Sequence, residues 1–281
     1  MSYIISIHRL KNYLHNKQGH TVIMDVRFDL TDPDAGRKAY WKDHIPGAIF
    51  IDIEKDLSGK KETHGGNHPL PDVNTLSLKL GRMGIDHNTT VVIYDENNDM
   101  FAARAWWLLH YLGHDKVCVL DGGYTRWKEE GNETTDRIPE LSAKEFRPEI
   151  RNNQTVNMEE VKQRLKNKTA VLVDSRARER YLGEMEPLYA RAGHIPGAKN
   201  FFWKGVLRSD GSWKSEEELQ KHFADLIKDD EIIISCGSGI SACPNILALK
   251  TLGYRNVKLY PGSFSDWISY GDNEVAVGEE E

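Results

Sequence analysis

The run Ile232-Ile233-Ile234-Ser235-Cys236-Gly237-Ser238-Gly239-Ile240-Ser241-Ala242 decides how the rest of the chain is read. Ile232 to Ile234 is short, apolar and β-branched, which suits a strand buried in a parallel sheet. Beyond the loop, Asn245 to Leu252 has the composition of a helix, and Gly253 supplies its stop signal. A cysteine therefore stands at the carboxyl end of a strand, inside a Gly/Ser loop that opens a helix. Open α/β sheets hold their ligands at such places. Loop N–H groups and the helix N-terminus converge there and favour a thiolate. Cys236 is thus expected to act as a nucleophile. The competing reading is a cysteine that merely packs, but a flexible polar loop makes poor core material.

Working outward, the chain repeats itself. Val22-Ile23-Met24-Asp25-Val26-Arg27 returns as Val171-Leu172-Val173-Asp174-Ser175-Arg176, and His44-Ile45-Pro46-Gly47-Ala48 as His194-Ile195-Pro196-Gly197-Ala198. Val91 to Tyr94 and the helix ending at Gly113 match Ile232 to Ser235 and the helix ending at Gly253. Val117 to Tyr124 with Trp127 parallels Val257 to Phe264 with Trp267. Blocks recurring in one order mark an internal duplication. Short apolar strands alternate with helical stretches such as Met158 to Lys166 and Glu216 to Ile227. That alternation predicts an α/β fold, each half a mainly parallel sheet flanked by helices on both faces. The join falls in the polar stretch Asp136 to Thr155, which carries Pro139 and Pro148. The expected domains are 1–140 and 156–281 with a linker at 141–155, and the acidic end from Gly278 to Glu281 is expected to fray.

The 281 residues are 39% hydrophobic, ample for two cores, and the net charge of −6 argues against nucleic acid or an anionic membrane as partner. No apolar run is long enough to span a bilayer. Met1 to Ser6 lacks a basic region followed by a long apolar segment, so no signal peptide is expected. The three cysteines, Cys118, Cys236 and Cys243, are too few and scattered for a disulfide framework, so a reduced, cytoplasmic protein is expected.

The halves differ where chemistry would occur. Against Cys236-Gly237-Ser238-Gly239 the first half sets Asp95-Glu96-Asn97-Asn98-Asp99, an acidic loop with no sulfur nucleophile. One active centre per chain is expected, in the second half. The doubled His-Ile-Pro-Gly-Ala block, the inert first loop and the Cys-Gly-Ser-Gly-Ile-Ser-Ala loop together resemble the tandem-domain rhodanese sulfurtransferases, a family of thiosulfate and 3-mercaptopyruvate sulfurtransferases. The resemblance covers essentially the whole chain and implies two tandem rhodanese-like domains, the first inactive. It also implies a cysteine persulfide that passes sulfur to cyanide, a thiol or reduced thioredoxin. The loop chemistry agrees independently: a thiolate or persulfide needs preorganised donors. N–H groups from Gly237 through Gly239 and Ile240, with the hydroxyls of Ser238 and Ser241, can supply them, and Gly237 and Gly239 let the backbone curl around the sulfur. No cofactor or metal is expected, since neither Cys nor His has close-set ligand spacing. Cys243 reads as a packed bystander, with a resolving thiol as the alternative.

Within the family, basic residues after the cysteine resemble the thiosulfate type, whereas the Gly237-Ser238 pair resembles the mercaptopyruvate type. In the latter the serine is linked to a histidine and an acid of the first domain. By motif these fall on His68 and Glu54, with Asp56 as a neighbouring alternative to Glu54. The donor's anionic end falls to Arg180, whose guanidinium can grip two oxygens, with Arg191 as a possible second arginine. Arg176, His44 and His194 recur in both halves (Arg176 as Arg27) and read as structural. Two rivals remain. A phosphatase with Cys-x5-Arg would need arginine where this chain has Ala242, and a non-catalytic rhodanese-type binding module would have no use for Cys236 in an intact loop.

Overall fold

The computed structural model describes residues 2–15 and 20–280; Met1 and Glu281, onto which the readings of the two chain ends extend, lie outside them. Two compact units are present. The first comprises Met1–Gly59, Pro71–Arg151 and Arg208–Trp213; the second comprises Lys60–Leu70, Asn152–Leu207 and Lys214–Glu281.

In the first unit, strands β1 (Ile4–Ile5), β2 (Thr21–Asp25), β3 (Ala48–Phe50), β4 (Thr90–Tyr94) and β5 (Val117–Leu120) form one sheet in the order β1-β5-β4-β2-β3. Every pairing is parallel. Helices α1 (Ile7–His15), α2 (Ala35–Lys42), α3 (Val73–Arg82) and α4 (Met100–Tyr111) connect the strands, and α5 (Gly123–Glu129) follows β5. The β-branched run of β4 has no solvent exposure from Val91 to Ile93, which is why it forms the middle of the sheet rather than an edge. Each such side chain contributes about 1.5–3 kcal/mol through burial. Helix α4 is buried all round from Phe101 to His110, the pattern of a helix enclosed by its own domain.

The second unit repeats this plan in a sheet of order β7-β6-β8-β9, again wholly parallel, from β6 (Ala170–Asp174), β7 (Lys199–Asn200), β8 (Glu231–Ser235) and β9 (Val257–Leu259). Its helices are α6 (Met158–Lys166), α7 (Arg178–Tyr181), α8 (Glu216–His222), α9 (Cys243–Thr251) and α10 (Ser263–Trp267). A capping box between Asn157 and Glu160 starts α6, and another between Ser215 and Glu218 starts α8. Helix α8 is shorter than its pattern suggested. After His222 a tight turn, with Leu226 N donating to Phe223 O at 2.9 Å, sets Phe223 and Leu226 into the core.

The duplication extends to single bonds. Arg27 and Arg176 both fold back on the aspartate two residues earlier and stack 4.0 Å over Tyr124 and Phe264 respectively. Tyr40 Oη donates to Ala48 O at 2.8 Å, and Tyr181 Oη donates to Ala198 O at 2.7 Å. His44 and His194 stack on those tyrosines and bond to the carbonyl of Tyr40 or Tyr181. Both histidines hold turns. The acidic end, expected to fray, is tied down through Glu280. Gly278 N donates to Leu182 O, Arg178 pairs with Glu279, and Glu280 Oε2 accepts from Gly197 N at 2.6 Å and meets His194 Nε2 at 3.0 Å. Among the described residues no helix is long and apolar enough to cross a membrane.

Candidate active site

Strand β8 delivers Cys236 to the head of the loop that enters α9. Its backbone is pinned from three sides. Phe264 N donates to Cys236 O at 3.0 Å, Ser265 N to Gly237 O at 2.9 Å, and Cys236 N donates to Ser263 Oγ at 3.0 Å. Cys236 is 1% exposed, and its sulfur accepts the Gly239 N–H at 3.1 Å. Gly239 has φ of +84°, and a Cβ there would run into Pro261 O. Only glycine can turn this N–H onto the sulfur. Ile240 is buried, and Cys243 is fully buried with its thiol donating to Gly239 O at 3.4 Å.

Of the hydroxyls expected to face the sulfur, Ser238 turns to His68 and Ser241 makes no side-chain hydrogen bond among the described residues. A third serine is there instead. Ser263 Oγ lies 3.9 Å from the sulfur and donates to Tyr260 O at 2.8 Å. Ser263 holds φ of +53°, where its counterpart Gly123 holds +59°. A side chain in that left-handed region costs roughly 1–2 kcal/mol, a strain retained where the hydroxyl anchors the Cys236 amide. The mismatch between Gly123 and Ser263 in the repeat was the signal for it.

Ser238 Oγ and His68 Nδ1 share a hydrogen bond of 2.7 Å, its direction set by the imidazole tautomer. His68 arrives on the arm Lys60–Leu70, which belongs to the second unit. The arm is fastened to α10 and the residues after it. Gly65 N donates to Asp266 Oδ1 at 2.7 Å, Asn67 N donates to Ser265 Oγ at 3.1 Å, and His64 stacks on Tyr270 with ring centroids 4.1 Å apart. Glu54 lies in the first unit with its side chain exposed. Its carboxylate makes no hydrogen bond or ion pair among the described residues, and only its backbone N–H is engaged, by Asp52. The neighbouring Asp56 accepts from Asp52 N and pairs with Lys79.

The segment between α7 and β7 builds a compact charge cluster. Arg176 is held by Asp174 at 2.6 Å and also donates to Gly193 O and to Glu186 at 3.2 Å. Arg180 meets the same Glu186 carboxylate through Nε at 3.2 Å and Nη2 at 2.7 Å. Glu186 is 2% exposed in its side chain and Arg180 17%. Two guanidinium groups thus face two carboxylates, and the cluster has no net charge. Sequence reasoning missed Glu186, because nothing in an irregular segment ties a carboxylate to an arginine. Arg191 is half-buried and makes no hydrogen bond or ion pair among the described residues.

The matching loop of the first unit carries Asp95 in place of the cysteine. Its carboxylate accepts from Asp99 N at 3.0 Å and Ala102 N at 2.9 Å. Burial, and secondarily Asp99, push its acidity well below that of an ordinary aspartate. Asn98 bridges Asp121 and Gly211 O, and Trp213 N donates to Asp121. The segment Arg208–Trp213 thereby closes over this loop within the first unit. Among the described residues no cluster of three or more His, Cys, Asp or Glu side chains is placed to hold a metal ion.

The family model described as "Rhodanese-like domain" matches residues 6–130 and again 157–270. A probable 3-mercaptopyruvate sulfurtransferase of Pseudomonas aeruginosa is 40% identical over 263 residues, covering 92% of this chain and 93% of the relative. The thiosulfate sulfurtransferase of Cricetulus griseus is 35% identical, covering 92% of this chain and 88% of its own. Among solved structures, the 3-mercaptopyruvate sulfotransferase SseA from Escherichia coli superimposes with a TM-score of 0.83 at 33% identity, covering 94% of this chain and 100% of that one.

Proposed function

The chain belongs to the rhodanese family, and from that premise we propose that it is a sulfurtransferase taking sulfur from 3-mercaptopyruvate onto Cys236. The observation that carries the choice of donor is the 2.7 Å bond between His68 and Ser238 beside the cysteine. A hydroxyl linked to an imidazole can pass a proton to the leaving group. Pyruvate leaves as an enolate and needs that proton; sulfite, the product from thiosulfate, does not. The balanced charge of Arg176 and Arg180 against Asp174 and Glu186 supports the same choice. It suits a donor with one carboxylate better than a dianion, which would require excess positive charge.

In the first step the Cys236 thiolate attacks the donor's sulfur. The S–S bond forms as the C–S bond breaks, and the electron pair passes to the carbon skeleton as the enolate of pyruvate. Protonation of that enolate completes pyruvate and leaves the persulfide anion on Cys236. The Gly239 N–H, already on the sulfur, is preorganised for this anionic chemistry. Arg180 orients the carboxylate by the part of its guanidinium that Glu186 leaves open, with Arg191 available to assist. A thiol such as a small thiol or reduced thioredoxin, or cyanide, then attacks the outer sulfur and restores the thiolate. Three free cysteines suit a reducing compartment such as the cytoplasm. Thiosulfate as donor, through the same persulfide, is the second reading, favoured by relatives of that activity. Catalytic efficiencies for the two donors separate them. Mercaptopyruvate should be preferred; a preference for thiosulfate would overturn the assignment.

A further inference from the structure

Tyr189 stands beside the cysteine loop, in the irregular segment that also carries Glu186. Its ring packs against Phe264 with centroids 6.0 Å apart, and the Arg180 guanidinium carbon lies 5.2 Å from the ring centre. Its hydroxyl hangs over Gly237: a Cβ added there would lie 2.6 Å from Tyr189 Oη. The next residue toward the strand is Cys236. A glycine at 237 is therefore needed for the space it leaves to a phenol as well as for its backbone. Glu186 fixes Arg180 by three hydrogen bonds, and Arg180 in turn flanks the phenol. The tyrosine is thus held over Gly237, one residue from the sulfur, with Arg180 and Glu186 behind it.

We propose that Tyr189 is a further catalytic residue, whose hydroxyl donates a hydrogen bond to the outer sulfur of the Cys236 persulfide as it forms. This rests on the reading of Cys236 as the sulfur carrier. In the sulfur-free chain Tyr189 Oη and Cys236 Sγ share no hydrogen bond among the described residues. A persulfide extends Cys236 by one S–S bond of ~2.05 Å and presents a new anionic acceptor. Burial raises the phenol above its ordinary acidity range, and the charge at Cys236 adds to that, so its proton is retained at neutral pH. The bond is made to charge that develops during transfer, so it acts on the rate of sulfur loading. The phenol keeps its proton throughout; the electron pair of the breaking C–S bond goes to the enolate, as described above.

The test compares the full chain with Tyr189→Phe, which keeps the ring against Phe264, and Gly237→Ala, whose Cβ displaces the hydroxyl. Gly237 does not sit in the left-handed region, so alanine is tolerated by the backbone there. Single-turnover loading of sulfur from mercaptopyruvate should slow by roughly tenfold or more in either variant, the effect of losing one bond to a charged group. Alkylation of sulfur-free Cys236 by iodoacetamide should keep its wild-type rate in Tyr189→Phe, because no outer sulfur is present. Should Tyr189→Phe not fold, Gly237→Ala decides. Loading at the wild-type rate, or loading and alkylation slowed by the same factor, would overturn the proposal. Cys236→Ser separates the two levels: sulfur uptake by that variant removes the carrier assignment itself, whereas an inert Cys236→Ser with fast Tyr189→Phe removes only the role of Tyr189.

Discussion

Asp95 and Cys236 occupy the same position in the two copies of the fold. Each follows its central strand, and the carbonyl of each accepts from the first turn of the later helix, from Tyr124 N at 2.9 Å and from Phe264 N at 3.0 Å. Where Cys236 Sγ takes one loop N–H, the Asp95 carboxylate takes two. The first copy has filled its own anion cradle with a side chain. Asp95→Asn should therefore leave sulfur transfer at the wild-type rate while lowering stability by about 1–3 kcal/mol, since one backbone N–H then faces an amide donor. Turnover and denaturant unfolding check this, and loss of turnover in the folded variant would contradict it.

The His68–Ser238 bond makes a second prediction. His68→Ala and Ser238→Ala should each reduce kcat with mercaptopyruvate by roughly 100-fold. The double variant should be no worse than either single one, because groups that act as a unit are not additive. Additive losses in this cycle would mean that the two side chains act independently.

Donor choice can be moved by charge. Ser238→Lys removes the partner of His68 and adds a cation to the cysteine loop. The ratio of catalytic efficiencies should shift toward thiosulfate by roughly tenfold. An unchanged ratio would show that this loop does not select the donor.

Stability should depend on pH through His114, far in sequence from the cysteine. Burial, assisted by His87, holds this imidazole down at about 4, against its ordinary 6.5. The fold therefore favours the neutral ring. Its contribution is fully present above pH 6.5 and is lost as the pH falls from 6.5 toward 4, by about 3 kcal/mol at most. Unfolding free energies at pH 7 and pH 5 should differ less in His114→Leu than in wild type. An identical difference would place the acid sensitivity elsewhere.

Much of this was legible in the chain. Asp-x-Arg after a β-branched run, and the doubled turn around His44 and His194, gave both sheets, because those side chains answer to local backbone needs. The cysteine loop was readable for the same reason: glycines and serines after a buried strand have few other uses. Residues in the segment between Gly183 and Gly193 were not readable. Glu186 and Tyr189 are placed by partners across the fold, Arg176, Arg180 and Phe264, and have no period to betray them. The arm carrying His68 was legible as a motif, but its fastening to Asp266 and Ser265 was not. The acidic end misled because composition alone cannot show that Glu280 has His194 to meet.

The account turns on Cys236 as the carrier of sulfur, and intact-mass measurement after incubation with mercaptopyruvate tests this most directly. Wild type should gain a single sulfur atom per chain, lose it on addition of a thiol acceptor, and gain none when Cys236 is replaced by serine. A sulfur adduct that persists in Cys236→Ser, or no adduct on wild type with either donor, would contradict it.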